Sequence, residues 1–316
     1  MCTILNTHII PKLVDYSWKD QNDNPACHIV EIVLGDRKTN VVQENILFAG
    51  SKQRVAVLFV KGYVLKNKTR KNKTMKKTTS ASSMLTKNID TLVYSGTYNG
   101  YGAIATAYAA YRLGLKCKVF LDSKGIGELK SSLRKDIIKS TQVKKLAALN
   151  AEIILCNNYR NARNALYETT QNADWSMKSG YYIMPMGLND TAGVMVKLLS
   201  KQIKKAWVCD KKHSVHDKMR FWLVAGSGGI LMSLVAAFPN SHFFVYQTGG
   251  GKYLDRLNKE TAKYDNITVV NDYKLRHTYN DYAKYYESIK GYDSVIFPYV
   301  KEYGEDGDYI WNVASI

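Results

Sequence analysis

A lysine set among small polar residues and two glycine-rich turns that each feed a helix are the parts of this chain able to do chemistry. Lys68 lies in the run Lys66 to Lys71, KNKTRK; a lysine amine that has lost its proton attacks a carbonyl carbon and forms an imine. Downstream, Thr91 to Tyr94 is an apolar, β-prone run. It breaks at Ser95-Gly96, passes Asn99-Gly100 and Gly102, and resumes as an alanine-rich segment to Arg112 that ends at Gly114. That pattern predicts strand, tight turn and helix. Gly96, Gly100 and Gly102 permit positive φ and close approach to a ligand, while the helix start offers unpaired N–H groups to an anion. The second turn lies in Phe221 to Leu234, FWLVAGSGGILMSL. An apolar strand runs into Gly226-Ser227-Gly228-Gly229 and an apolar helix follows, so main-chain amides converge beyond the strand's carboxyl end, where a phosphate fits. The competing reading is a tight turn with no ligand.

These turns need a framework to hold them. Lys116 to Leu121 reads as a strand, Leu133 to Leu149 as an amphipathic helix and Glu152 to Cys156 as a strand, so a βαβαβ run and a parallel sheet with covered faces are expected. His28 to Leu34 and Val55 to Val60 read as edge strands. Phe243 to Gln247, Ile267 to Val270 and Ser294 to Phe297 read as further strands. Met75 to Lys87, rich in Ser, Thr and Lys, reads as a flexible segment or a helix. The fold class is α/β: two three-layer α/β/α domains with mostly parallel sheets.

In order along the chain, four pieces resemble the fold type II pyridoxal-phosphate enzymes, the tryptophan synthase beta-like superfamily, nearest to its D-cysteine desulfhydrase and aminocyclopropanecarboxylate deaminase branch. Asn67 to Lys71 is similar to the NKTRK motif whose lysine holds the cofactor as an imine, and Asp90-Thr91-Leu92-Val93 with Gly96 is similar to the DTLV strand and its glycine turn. Tyr182 to Gly187, with Gly193 beyond, resembles the IPxG segment, and Gly226 to Gly229 stands where the phosphate loop belongs. The likeness spans roughly Leu65 to Leu234. It implies pyridoxal 5'-phosphate as cofactor, with Gly226, Ser227, Gly228, Gly229 and Gly187 around it in a cleft between domains. It also implies a large domain of residues 1–90 and 187–316, a small mobile one of residues 91–186, and a homodimer.

Departures from that branch bear on the reaction. Its Gln-Ser-Asn triplet falls here on Asn99, Gly100 and Tyr101, so the serine is missing. Asn99 remains able to hydrogen-bond the cofactor's ring hydroxyl or a substrate carboxylate. Tyr98 or Tyr101 could act as general acid or stack on the ring. Longer spacing between Lys68 and the glycine turn lets Lys71 or Lys73 compete for the imine role. For the ring nitrogen, Tyr299 and Tyr303 are the nominees from the end of the chain. The expected function is a lyase, deaminase or decarboxylase acting at the α carbon of an amino acid or similar small substrate.

Composition sets the other bounds. Between Lys61 and Lys77 eight of seventeen residues are Lys or Arg, and a lysine in such a run is ordinarily solvated. With 316 residues, 46% of them hydrophobic, the chain can bury a substantial core. No apolar run has membrane-spanning length and the N-terminus has no secretion-signal pattern, so a cytoplasmic protein is expected, in a host cell if viral. Cys2, Cys27, Cys117, Cys156 and Cys209 are widely spaced and read as reduced thiols. No metal is expected, since His213 and His216 sit in a polar, Lys-rich stretch without a convergent carboxylate or thiol. Neither a GxSxG elbow nor a Walker loop is present. Net charge is +18, concentrated in Lys61 to Lys77 and Lys201 to Arg220, with 23 tyrosines able to stack on bases. Possible DNA binding follows from this, against the plainer reading of an AT-rich genome. Two alternatives stand beside the free-amino-acid enzyme: a pyridoxal-phosphate enzyme acting on amino-acid-decorated DNA bases, as in phage thymine hypermodification, and a cofactor-free nucleic-acid-binding pseudoenzyme on the same scaffold.

Overall fold

The structure, a computed structural model, describes residues 2–5, 22–65, 89–98, 100–122, 137–185, 187, 193–207, 214–247, 258–259, 261–270 and 293–313. It divides into two compact units: Met1–Asp20 with Val55–Asp190, and Gln21–Arg54 with Thr191–Ile316.

The first unit is built on a five-stranded sheet of β1 (Cys2–Ile4), β4 (Thr91–Thr97), β5 (Lys116–Asp122), β6 (Glu152–Cys156) and β7 (Tyr181–Ile183), in the order β1-β6-β5-β4-β7. All neighbours run parallel except β1, which is antiparallel to β6. Helix α2 (Tyr101–Arg112) packs on β4 and β5, and its first ten residues are all buried. Five alanines among them let helix and sheet approach closely without large side chains between. The helix stops where Gly114 takes φ +66°, a left-handed ending that glycine accommodates without a Cβ clash. Helices α3 (Thr141–Ala148) and α4 (Tyr159–Thr170) start on side-chain caps: Ser140 Oγ accepts from the Val143 N–H and Asn158 Oδ1 from the Asn161 N–H.

The second unit carries a six-stranded sheet of β2 (Ile29–Leu34), β3 (Arg37–Gln43), β8 (Arg220–Ala225), β9 (His242–Gln247), β10 (Ile267–Val270) and β11 (Tyr309–Asn312), in the order β10-β9-β8-β11-β3-β2. Only the β2–β3 pair is antiparallel. Strand β8 is buried on both faces, as its unbroken apolar sequence requires. One face stacks Phe221 on Phe243 at 5.5 Å, with Trp207, Phe238 and Tyr309 closing around them. On the other, Trp222, Val224, Tyr246 and Ile310 pack with Phe297, Tyr299 and Val300. Helices α5 (Val194–Trp207) and α6 (Gly229–Ala237) pack together in this unit, and α7 (Phe297–Tyr303) follows a 3-10 turn at Asp293–Ile296. Among the described residues no helix is long and apolar enough to cross a membrane.

Three sequence expectations are corrected. Val55 to Val60 is helical, not an edge strand: α1 (Gln53–Phe59) continues into a π-helical turn at Val60–Leu65. A short, wholly apolar run has no periodicity to separate a buried strand from a buried helix. Ser294 to Phe297 likewise forms the 3-10 turn and the start of α7, with Pro298 in the first turn where it costs no hydrogen bond. Finally, Cys2 and Cys156 are not separate thiols but a disulfide, brought together because β1 pairs with β6 in the register Cys2↔Cys156. Cys117 is a buried free thiol whose pKa burial pushes up, and Cys27 is partly exposed.

Candidate functional site

In the first unit the glycines after β4 serve a different purpose from the one their spacing predicts. None of Gly96, Gly100 and Gly102 takes positive φ. A Cβ at Gly96 would lie 2.6 Å from Tyr94 Cε1, and one at Gly102 would overlap the Tyr94 hydroxyl. The two glycines make room for the ring of Tyr94, whose hydroxyl accepts a hydrogen bond from the Gly187 N–H at 3.1 Å. Gly187, at φ +64°, is thereby tied to β4. Tyr98 sits half-buried in the turn after β4, its N–H bonded to the Asp122 carbonyl at 3.2 Å. Tyr101 opens α2 and is buried, with the Lys145 amine 5.3 Å above its ring. Burial pulls the Lys145 pKa down to about 8. Asn99, Lys68, Lys71 and Lys73 lie outside the described residues.

The second unit holds the other turn. Strand β8 ends at Ala225, and Gly226 to Gly228 carry the chain into α6. Gly228 is the cap residue at φ +79°, a left-handed conformation that a side chain would strain. The Met232 N–H makes the first helical bond, to the Gly228 carbonyl, so this turn stands at the helix's amino end, where the dipole favours an anion.

Two buried amides flank this turn. Strand β9 ends at Gln247, paired in register with Ala225, and β11 ends at Asn312, one residue beyond the Trp311↔Leu223 pair. Gln247 is 8% exposed and Asn312 fully buried, yet among the described residues neither amide nitrogen nor oxygen of either finds a hydrogen-bond partner. A buried amide left so costs about 1–3 kcal/mol for each unmet group. By strand alternation Gln247 shares a face with Ala225, and Asn312 shares one with Val224. They bracket the sheet's carboxyl edge from its two faces.

Next to Asn312 a third polar group reaches the same edge. The segment Glu44 to Arg54 folds through two short 3-10 turns, with Gly50 at φ +61°, into α1. Its Ser51 N–H donates to the Val313 carbonyl at 3.2 Å, and Ser51 Oγ accepts from Trp311 Nε1 at 3.1 Å. Lys52 follows directly. The residue is half-buried, and burial lowers its amine's pKa from 10.5 to about 8. Arg54 fixes the segment from behind: it forks onto Glu44 in an ion pair 1% exposed on both sides, and donates to Asn24 Oδ1 and the Pro25 carbonyl. Sequence reading passed over Lys52 because nothing in its immediate composition marks it. The signal available was Gly50-Ser51-Lys52, a lysine between a glycine turn and an apolar run.

The two tyrosines nominated from the chain's end are set apart from each other. Tyr299 is buried in α7 against Tyr246, ring centroids 5.5 Å apart. Tyr303 is 52% exposed, and its carbonyl accepts from Arg220, the first residue of β8. That places Tyr303 at the amino end of the strand, about 16 Å of strand from the Gly226 turn.

No family model matches the sequence, and no curated protein matches it. Solved structures do. Diaminopropionate ammonia lyase from Escherichia coli, in apo form, superimposes with a TM-score of 0.57 at 13% identity, over 99% of this chain and 92% of that one. An ACC deaminase homologue gives 0.57 at 16%, over 93% and 91%. The processed form of threonine deaminase isoform 2 from Solanum lycopersicum gives 0.56 at 12%, over 88% and 75%. The chain therefore has the α/β fold of these proteins, the fold that the resemblance in its sequence implies.

Proposed function

We propose that the chain binds pyridoxal 5'-phosphate and, as a lyase or deaminase, breaks a bond at the α carbon of an amino acid or amino-acid-like substrate. One observation carries the reading: a glycine turn at a helix's amino end lies between two buried side-chain amides that have no partner among the described residues. Such a polar edge fits a ligand with a phosphate at one end and a heteroaromatic ring at the other. The names of the three similar structures, a threonine deaminase, an ACC deaminase homologue and an ammonia lyase, support the reaction class.

The cofactor, when bound, supplies an aldehyde that captures amines and a ring that withdraws electrons from the α carbon. The chain's own groups do the rest. The amides of Gly226 to Gly229 and the Ser227 hydroxyl hold the phosphate, and Gly228 keeps the turn open for it. Asn312 or Gln247 hydrogen-bonds the ring or its substituents, a role the sequence reading offered to Tyr299 and Tyr303. Gly187 and Asn99 are further contacts offered by the sequence likeness, with Asn99 proposed for a substrate carboxylate. Tyr98 or Tyr101 holds a proton for the leaving group. A lysine amine anchors the cofactor and afterwards moves the α proton. Lys68 is the candidate that the NKTRK likeness offers.

Titration of the purified protein with pyridoxal phosphate, followed by visible absorbance and by ammonia release from a panel of amino acids, tests this. Saturable binding with a new visible band is expected; neither band nor binding would end the proposal.

The net charge of +18 favours a second reading, in which the substrate amine is carried on DNA. Binding to duplex DNA that persists at physiological salt and falls linearly with log salt supports it, and its absence leaves the free amino acid.

A further inference from the structure

Among the described residues, Lys52 follows Ser51, which is bonded to the end of β11, and it is not in the basic run. We propose that Lys52, rather than Lys68, Lys71 or Lys73, is the residue that anchors the cofactor covalently. The inference rests on the pyridoxal-phosphate reading above and names the amine within it.

Position is the first argument. Ser51 is hydrogen-bonded to Val313, which follows β11, and β11 runs parallel to β8 in the register Trp311↔Leu223. Two residues on, Val313 stands beside Ala225, the last residue before the Gly226 turn. Neighbouring strands lie about 4.8 Å apart, so the main chain at Ser51 and Lys52 meets the sheet's carboxyl edge at β11, the strand next to β8. Asn312, whose amide is unmet among the described residues, directly precedes Val313.

Fixation is the second. An anchoring amine must return to the same place after each turnover, and this segment is held at three points. The Ser51 hydroxyl is bonded to Trp311, Gln53 Oε1 accepts from the Ala49 N–H at 3.2 Å, and Arg54 is locked to Glu44, Asn24 and Pro25. All of these bonds lie within the second unit.

The state of the amine agrees. Burial desolvates the amine and keeps a useful fraction of it neutral near pH 8. Lys145 is also desolvated, but it belongs to the first unit and lies over the Tyr101 ring.

In the step itself the neutral Nζ of Lys52 attacks the aldehyde carbon. A carbon–nitrogen double bond replaces the carbonyl, and the two amine hydrogens leave with the carbonyl oxygen as water. Nothing is oxidised or reduced, and no further reactant is needed.

Pyridoxal phosphate is added to the full chain, the adduct is fixed with borohydride, and the labelled lysine is located by peptide mass mapping. The expected result is a pyridoxyl group on the peptide carrying Lys52, in the wild type and in Lys68→Ala alike. Label and visible band should both disappear in Lys52→Ala and Lys52→Arg, with circular dichroism reporting whether each variant is folded. If either variant fails to fold, the wild-type and Lys68→Ala maps still decide. Label on Lys68, Lys71, Lys73 or another lysine overturns the Lys52 assignment and leaves the cofactor reading in place. No label and no band in the wild type at saturating cofactor overturns both.

Discussion

The indole N–H of Trp311 donates to the hydroxyl of Ser51 at 3.1 Å, and both residues are buried. This one bond ties the last strand of the second sheet to the turn that presents Lys52. Trp311→Phe keeps the ring and removes the donor, leaving the Ser51 hydroxyl short of a partner. A loss of about 1–3 kcal/mol in unfolding free energy is expected. Cofactor affinity should fall alongside it; urea denaturation and absorbance titration check the pair.

Arg54 and Glu44 form an ion pair removed from water. Removing one partner strands the other charge, so Arg54→Met should cost about 3–5 kcal/mol. Burial opposes the charge of Arg54, but the Glu44 carboxylate raises its pKa overall, so the guanidinium stays charged. The double variant Arg54→Met/Glu44→Leu should recover much of the lost stability in the same urea assay. A double variant no better than the single would refute the pair's stranded-charge account.

The Lys52 amine has a pKa lowered from 10.5 to about 8. Between those values the unfolded chain binds the proton and the folded chain does not, so stability rises with pH across that window. Below pH 8 the penalty for desolvating the charge is fully present. Compared with Lys52→Met, the wild type should gain stability between pH 8 and 10, whereas parallel curves would place the amine in water. The rate of cofactor capture should climb through pH 8 and then level off, read by stopped-flow absorbance.

Tyr94 fills the space that Gly96 and Gly102 leave open. Gly102→Ala drives a Cβ into the Tyr94 hydroxyl and should destabilise the first unit by about 1–3 kcal/mol. Pairing it with Tyr94→Ala removes the obstacle, so the two substitutions should be strongly non-additive in a thermal-unfolding cycle. Additive losses would mean that the ring moves aside freely.

The Cys2–Cys156 disulfide fastens the edge strand β1 to β6. Cys2→Ser should lower stability by about 2–4 kcal/mol in the absence of reductant. Dithiothreitol should bring the wild type down to the same level and leave the variant unchanged, as followed by differential scanning fluorimetry.

How legible this was depended on whether the information was local. The strands at Thr91, Lys116, Glu152, Phe221 and Phe243 and the alanine-rich helix were readable because apolar period, glycine breaks and composition agree within ten or so residues. Val55 to Val60 was not, since an apolar run of that length fits either a buried helix or a buried strand. The disulfide was not, since it depends on a pairing across 154 residues. Gly96 and Gly102 were read as turn glycines with positive φ close to a ligand, whereas neither takes positive φ and both border a side chain of the protein. What took up the room was decided by the tyrosine two residues upstream of Gly96.

By itself the sequence determined the α/β class, the strand–glycine–helix turn at Gly226 and the order of motifs that leads to this fold, because each is written in neighbouring residues. Tertiary structure alone decided that Gln247 and Asn312 end the strands on either side of β8 with their amides unmet among the described residues, and that Ser51, next to Lys52, bonds to Val313. Those facts arise when β8, β9 and β11 come into register, and register is set by packing between segments about 22 and 88 residues apart, which no local pattern encodes.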